Sequence, residues 1–343
     1  MNQGLLKCTC AIVLATLIGW ILHVGRSVLV PIAFGIIATY VIFGLAGLLR
    51  RIPYAGERLK AGLRYTIAAT LMVFIVYLSV DLLLSDKDRL MALAPKYEAT
   101  LLALLTKFAA FLHIETEASW TAIRRDLLAT VDVQAIITAT LSSVSSLIAT
   151  IVVVTLYAAF FLVEHAKFRR KLVTFAGGTT QIVSVIDEVN AKIGTYLALK
   201  ALLGVILGIA SWVCMYFIGL EFAELWAVLI GLLNFIPYAG SLVSVALPTL
   251  LAALQFGQLS EAFAIFVALT VINFVVGHIL DPWLMGGSLN LSPTVILISL
   301  AAWSSVWGIA GAFLAVPITV GLIIAFSAFD STRRFAMLLT NDG

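Results

Sequence analysis

The sequence predicts an all-α polytopic membrane protein in which part of the C-terminal third does not cross as straight helices. Three observations carry that prediction. Hydrophobic residues fill 62% of 343 positions and charged ones only 11%, a balance foreign to soluble domains. The apolar residues form runs long enough to span a bilayer, with cations gathered in a few short loops. The stretch from Leu225 to Leu254 carries no charge, yet it contains Asn234, Pro237, Gly240 and Pro248. As one straight helix it would be about 45 Å long at ~1.5 Å per residue, against roughly 30 Å of hydrocarbon. It must tilt, kink or turn back. Pro237 removes a helical donor and Gly240 opens backbone angles closed to other residues, so backbone polar groups are left free at membrane depth. Only protein or a watery cavity satisfies such groups there, and solute sites of transporters are built this way.

Residues 1–84 read as three transmembrane helices. Helix one is expected over about Leu5 to Val24, with Trp20 as an interfacial anchor. No small-x-small cleavage site follows its apolar run, so it reads as retained. After a turn at Gly25, Arg26 and Ser27, helix two runs to about Leu49 with Pro31 in its first turn, where a missing donor costs least. Arg50, Arg51, Arg58, Lys60 and Arg64 face a lone Glu57 in the next loop, which places that loop and the amino terminus in the cytoplasm. Helix three, about Tyr65 to Leu84, then leads outward.

Residues 85–143 read as an extracytoplasmic helical insertion with balanced charge. Leu101, Leu104, Leu105, Phe108, Phe111 and Leu112 recur at helical spacing. Such a stripe packs on a neighbour or on the membrane domain; oligomer contact and solute gating are the sharper readings. Residues 144–200 hold helix four, the basic cluster Lys167, Arg169, Arg170 and Lys171, and a cytoplasmic amphipathic helix with Ile182, Val185, Ile186, Val189, Ile193 and Leu197 on one face. Residues 201–330 form the expected transport core, opening with helix five from Ala201 to Gly219, and residues 331–343 a cytoplasmic tail. Cys8, Cys10 and Cys214 show no metal or disulfide spacing, no cofactor motif is present, and a net charge of +3 is too small and dispersed for nucleic acid.

Beyond Lys200 the next Lys or Arg is Arg333, so cations do not orient the last third. Two layouts fit: three single spans (225–254, 262–280, 294–326), or one span at 262–280 flanked by two hairpins that re-enter on the side they left. Both put Arg333 and Arg334 in the cytoplasm. The length of the outer two segments weighs towards hairpins. The decapeptides Gly47 to Gly56 and Gly231 to Gly240 match closely, but the register fails outside them.

Few ionisable groups lie in this region. Glu221 and Glu224 occupy a short turn and are expected in solvent, and Glu261 begins a helix. His278 and Asp281 close an apolar helix and precede D-P-W-L-M-G-G-S-L-N-L-S-P, whose Gly286, Gly287 and Pro293, together with Pro248 upstream, are expected to break the backbone. With Asn273 on the same helix and Asn290 beyond it, His278 and Asp281 offer ligands for a polar solute or a small cation, or a proton relay through Asp281. The bland alternative is that His278 and Asp281 end a helix at an interface. Asn234 and Tyr238 flank the other interruption, with Ser241 just beyond, where an amide, a phenol and a hydroxyl serve either loose backbone or solute.

N-F-I-P-Y-A-G at 234–240 followed by Pro248, the 281–293 run, and W-G-I-A-G-A-F-L-A-V-P at 307–317 together resemble the autoinducer-2 exporter family of bacterial inner-membrane proteins. That resemblance implies about eight membrane segments, homo-oligomeric assembly, and export of the quorum-sensing furanosyl diester or related small polar solutes; similar proteins are described as sodium/proton antiporters. Ser241 stands where many relatives have proline and Ser244 where glycine is frequent, which softens the break and adds hydroxyls.

Three functions follow. The first is a secondary transporter moving a small polar solute outward, with the 234–248 and 281–293 interruptions as its site and proton coupling through Asp281. The second is a monovalent cation/proton antiporter, for which Asp281 is the fair candidate acid. The third is a non-transporting scaffold whose oligomer presents the outer helices to partners. No nucleophile and base pair emerges for an enzyme.

Overall fold

The computed structural model describes residues 3–50, 59–111, 149–165, 167, 170–171, 174, 180–285, 291–327, 332 and 339. Gly286, Gly287, Asn290, Arg333, Arg334 and the insertion beyond Phe111 lie outside the described residues. The helices are α1 (Gln3–Val24), α2 (Arg26–Arg50), α3 (Ala61–Ser85), α4 (Lys87–Phe111), α5 (Ala149–His165), α6 (Thr180–Ile218), α7 (Ala223–Leu233), α8 (Ala239–Phe256), α9 (Leu259–Val275), α10 (Asp281–Met285), α11 (Pro293–Trp307) and α12 (Ile309–Ser327). A π-helical turn, Val276–Leu280, joins α9 to α10. Among the described residues, six helical stretches are long and apolar enough to cross a membrane, and shorter apolar helices accompany them. With α7–α8 and α11–α12 each taken as a pair, the apolar segments among the described residues number eight, against the roughly eight that the family resemblance implies.

The chain divides into two compact units, the first comprising 1–69, 150–199 and 285–343 and the second 70–149 and 200–284. The amphipathic helix and helix five, expected as separate elements, are one unbroken helix, α6. No proline lies within it, and Leu197, Ala198 and Leu203 around the expected junction are fully buried.

In the first unit, helices approach closely at small residues. A Cβ on Gly44 would lie 2.3 Å from the Gly194 carbonyl oxygen, and one on Gly35 would lie 2.6 Å from Tyr157 Cβ. Such contacts let backbones meet where lipid supplies no hydrophobic driving force. Tyr40 donates its hydroxyl to Asn190 Oδ1 at 2.6 Å across the α2–α6 contact. Helices α11 and α12 fold back on each other around Gly308, whose φ of +62° suits glycine. A Cβ on Gly311 would fall 1.8 Å from the Trp303 carbonyl oxygen, so only glycine lets the two arms close. Trp307 Nε1 donates to the Leu22 carbonyl at 2.9 Å, and His23 Nδ1 lies 2.9 Å from the Val306 carbonyl oxygen, which ties the turn to the end of α1.

The second unit contains the other hairpin. The Glu221 N–H donates to Gln255 Oε1 at 2.7 Å and Gln255 Nε2 to the Gly219 carbonyl at 2.8 Å. The start of α7 and the end of α8 therefore lie side by side, and the stretch 225–254 turns back on itself. Both 225–254 and 294–326 are therefore helical hairpins and not single straight helices. Helix α4 packs across the feet of the first: Tyr97, Phe222 and Leu225 form a buried cluster, ringed by Leu90, Leu93, Trp226, Leu229, Leu251 and Leu254. Burying each large side chain is worth roughly 1.5–3 kcal/mol as an upper bound. The Arg89 guanidinium sits 5.3 Å from the Phe222 ring centroid.

Candidate solute site at the hairpin tip

The tip of this hairpin is built from Asn234 to Tyr238. Helix α7 ends at Leu233 because Pro237 cannot extend the backbone ladder and disfavours helical geometry at Ile236. The Ala239 N–H donates to the Pro237 carbonyl at 2.6 Å, and Tyr238 between them has φ +58° and ψ −59°. This is a γ-turn of the rare, strained hand, carried by a residue with a side chain. A Cβ on Gly240 would lie 1.9 Å from the Leu233 carbonyl oxygen, so the second arm can start only with glycine there. Ser241 Oγ donates to the Tyr238 carbonyl at 2.8 Å, which also accepts the Leu242 N–H at 3.2 Å.

Opposite the tip, Asp281 and Lys200 form an ion pair, Nζ to Oδ2 at 2.6 Å, with side chains only 13% and 21% exposed for the lysine and the acid. Asn234 Nδ2 reaches the Lys200 main-chain carbonyl at 3.4 Å. Three elements of the second unit thus meet: the hairpin tip, the middle of α6 and the end of the α9 rod. Lys200 lies ~27 Å of helical rise before Ile218, so the pair is far from the hairpin feet.

The segment from Asp281, expected to lack regular structure, is helical through Met285. Pro282 sits in the first turn of α10, where its missing N–H is tolerated. The preceding π turn, closed by the Asp281 N–H on the Val276 carbonyl, widens the helix by one residue and relieves the proline's clash with the turn below. Pro248, expected as a break, lies buried inside the continuous helix α8. One absent bond, at the Ser244 carbonyl, does not end a membrane helix packed by its neighbours. Pro293 begins α11.

Asn273 and His278 do not join the ion pair's hydrogen bonds. Asn273 donates to the Leu269 carbonyl at 3.0 Å and accepts from Ser244 Oγ at 3.3 Å, a polar link between α8 and α9 about two turns from Asp281. His278 is exposed, its ring stacked 4.7 Å from that of Phe274. Glu221, expected in solvent, is half-buried and accepts the Tyr97 hydroxyl at 2.5 Å. Burial first, and then this bond, raises the Tyr97 phenol above its ordinary pKa. Sequence reasoning missed Lys200 as the partner of Asp281, although one cation stranded between long apolar runs was the signal.

Eight apolar segments, two of them folded back, and an ion pair beside a broken tip within apolar helices define a multi-pass membrane protein of the transport class. The family model described as AI-2E family transporter matches residues 10–330, and the chain belongs to that family. Among its relatives, YhhT of Escherichia coli strain K12, named there as a proposed transport protein, is 27% identical over 291 residues, 82% of this chain and 81% of its own. The AI-2 transport protein TqsA of the same strain is 31% identical over 210 residues, 60% of each chain. A proposed transport protein of Haemophilus influenzae is 31% identical over 199 residues, 57% of each chain. The matches to these last two therefore span under two thirds of those relatives.

Proposed function

We propose that this membrane transport protein is a secondary carrier that moves a small polar solute of the AI-2 type outward across the bacterial inner membrane. Its site is the hairpin tip from Asn234 to Ser241 together with Lys200 and Asp281. The observation that supports this best is the Lys200–Asp281 pair, a charged donor and acceptor held beside the broken hairpin tip inside apolar segments. The name of TqsA suggests the cargo. Cytoplasmic termini follow the positive-inside pattern, which makes the α7–α8 hairpin enter from the outer face with α4 across its feet. Assembly as a homo-oligomer belongs to the same proposal, and native mass in detergent tests it.

Purified protein in liposomes loaded with labelled AI-2 should release it faster than protein-free liposomes. Asp281→Asn leaves Lys200 uncompensated and should slow release at least about tenfold with an unchanged elution profile. Release no faster than from protein-free liposomes would sink the proposed cargo.

A further inference from the structure

Lys200 is the lone Lys or Arg between Lys192 and Arg333. Its ammonium lies on the Asp281 carboxylate, and both are largely shielded from water. Lys192 is occupied by Glu188 one turn away on its own helix. Titratable groups on the same helices are Tyr196, buried one turn before Lys200, and His278, three residues before Asp281, exposed and stacked on Phe274; Tyr238 lies exposed at the strained tip. The acid that sequence alone offers for ion coupling therefore already holds a cation, and that cation is part of the chain.

An occluded step strips water from the site, and a buried carboxylate without a partner makes that step costly. Carriers coupled to an ion exploit this cost, because the empty site returns only when the ion neutralises it. Here the pair is neutral without any ion. We propose that Lys200 is a tethered counter-cation that takes the place of a coupling ion, so that the empty carrier returns unassisted and export runs down the cargo's own gradient. A solute hydroxyl can enter between the two groups, its oxygen accepting from Lys200 Nζ and its hydrogen donated to Asp281, and the pair closes again when the solute leaves. This rests on the transporter reading above and adds its energetics.

The test compares net release of labelled AI-2 with exchange against unlabelled AI-2 across proteoliposomes, since exchange never requires the empty carrier to return. Wild-type protein should perform both, with no accumulation against the AI-2 gradient when a proton or sodium gradient is imposed. Lys200→Gln loses a solute contact and so slows both modes, but net release should fall about tenfold or more beyond exchange. Lys200→Gln with Asp281→Asn should return the ratio of the two modes to that of wild type. Gradient-driven accumulation by wild type, or equal loss of both modes in Lys200→Gln, would overturn the inference. Should wild type move AI-2 in neither mode, the cargo reading has failed instead. The inference is then decided without cargo: sodium-triggered alkalinisation of everted vesicles overturns it. So does a Lys200→Gln variant that melts at the wild-type temperature.

Discussion

The ammonium of Lys200 and the carboxylate of Asp281, 81 residues apart in the chain, meet at 2.6 Å where the α9 rod ends and α6 passes the hairpin tip. Breaking either side of a shielded pair strands the other charge, a loss of about 3 kcal/mol. Lys200→Met and Asp281→Leu should each lower the melting temperature in detergent, and the double variant should recover most of the loss. Additive losses in the double variant would show that the two groups are not energetically linked.

Glycine at the start of each returning arm is a steric requirement. Gly240→Ala and Gly311→Ala place a methyl within 2 Å of the Leu233 and Trp303 carbonyl oxygens, and these backbone atoms cannot yield without opening the hairpin. Both variants should melt well below wild type or fail to accumulate. Gly62→Ala, with nothing within 4 Å of its Cβ, is the control and should stabilise by roughly 0.5–1 kcal/mol. The comparison is read from folded yield and melting in detergent.

Tyr238 carries a positive φ that a side chain disfavours, and its ring is 54% exposed, so little burial offsets the strain. Tyr238→Gly should raise stability by about 1 kcal/mol. A lower melting temperature would mean the ring contributes packing that outweighs the backbone strain. If the strain helps the tip open, transport should slow in the same variant.

The Tyr97–Glu221 bond gives α4 an alkaline limit. The folded pKa of Tyr97 is raised above the unfolded value of 10.0, so the neutral phenol is the form that folding favours. Its contribution is complete below pH ~10 and is lost as pH rises through the folded pKa. Melting followed by Trp226 fluorescence should show an alkaline step starting above pH 10 in wild type and none in Tyr97→Phe. A step surviving in Tyr97→Phe would assign it elsewhere.

Sequence reading located the hairpin break because proline and glycine act on their own backbone, whatever surrounds them. The same local reasoning failed at Pro248 and at Asp281 to Met285. In each place the cost of a proline is absorbed, by packing in one and by a π turn in the other, and neither remedy is written in neighbouring residues. Glu221 was misplaced for a related reason: the residue that buries it, Tyr97, arrives from a distant helix.

Composition and the run lengths between charges were enough to determine a helical membrane protein whose 225–254 stretch, too long for one straight crossing of the hydrocarbon, must tilt, kink or turn back. Which groups face one another inside it was decided by the tertiary structure alone. An ion pair between Lys200 and Asp281 depends on how far α6 runs unbroken and where the π turn rotates the end of α9, and both are settled by packing across elements far apart in the chain.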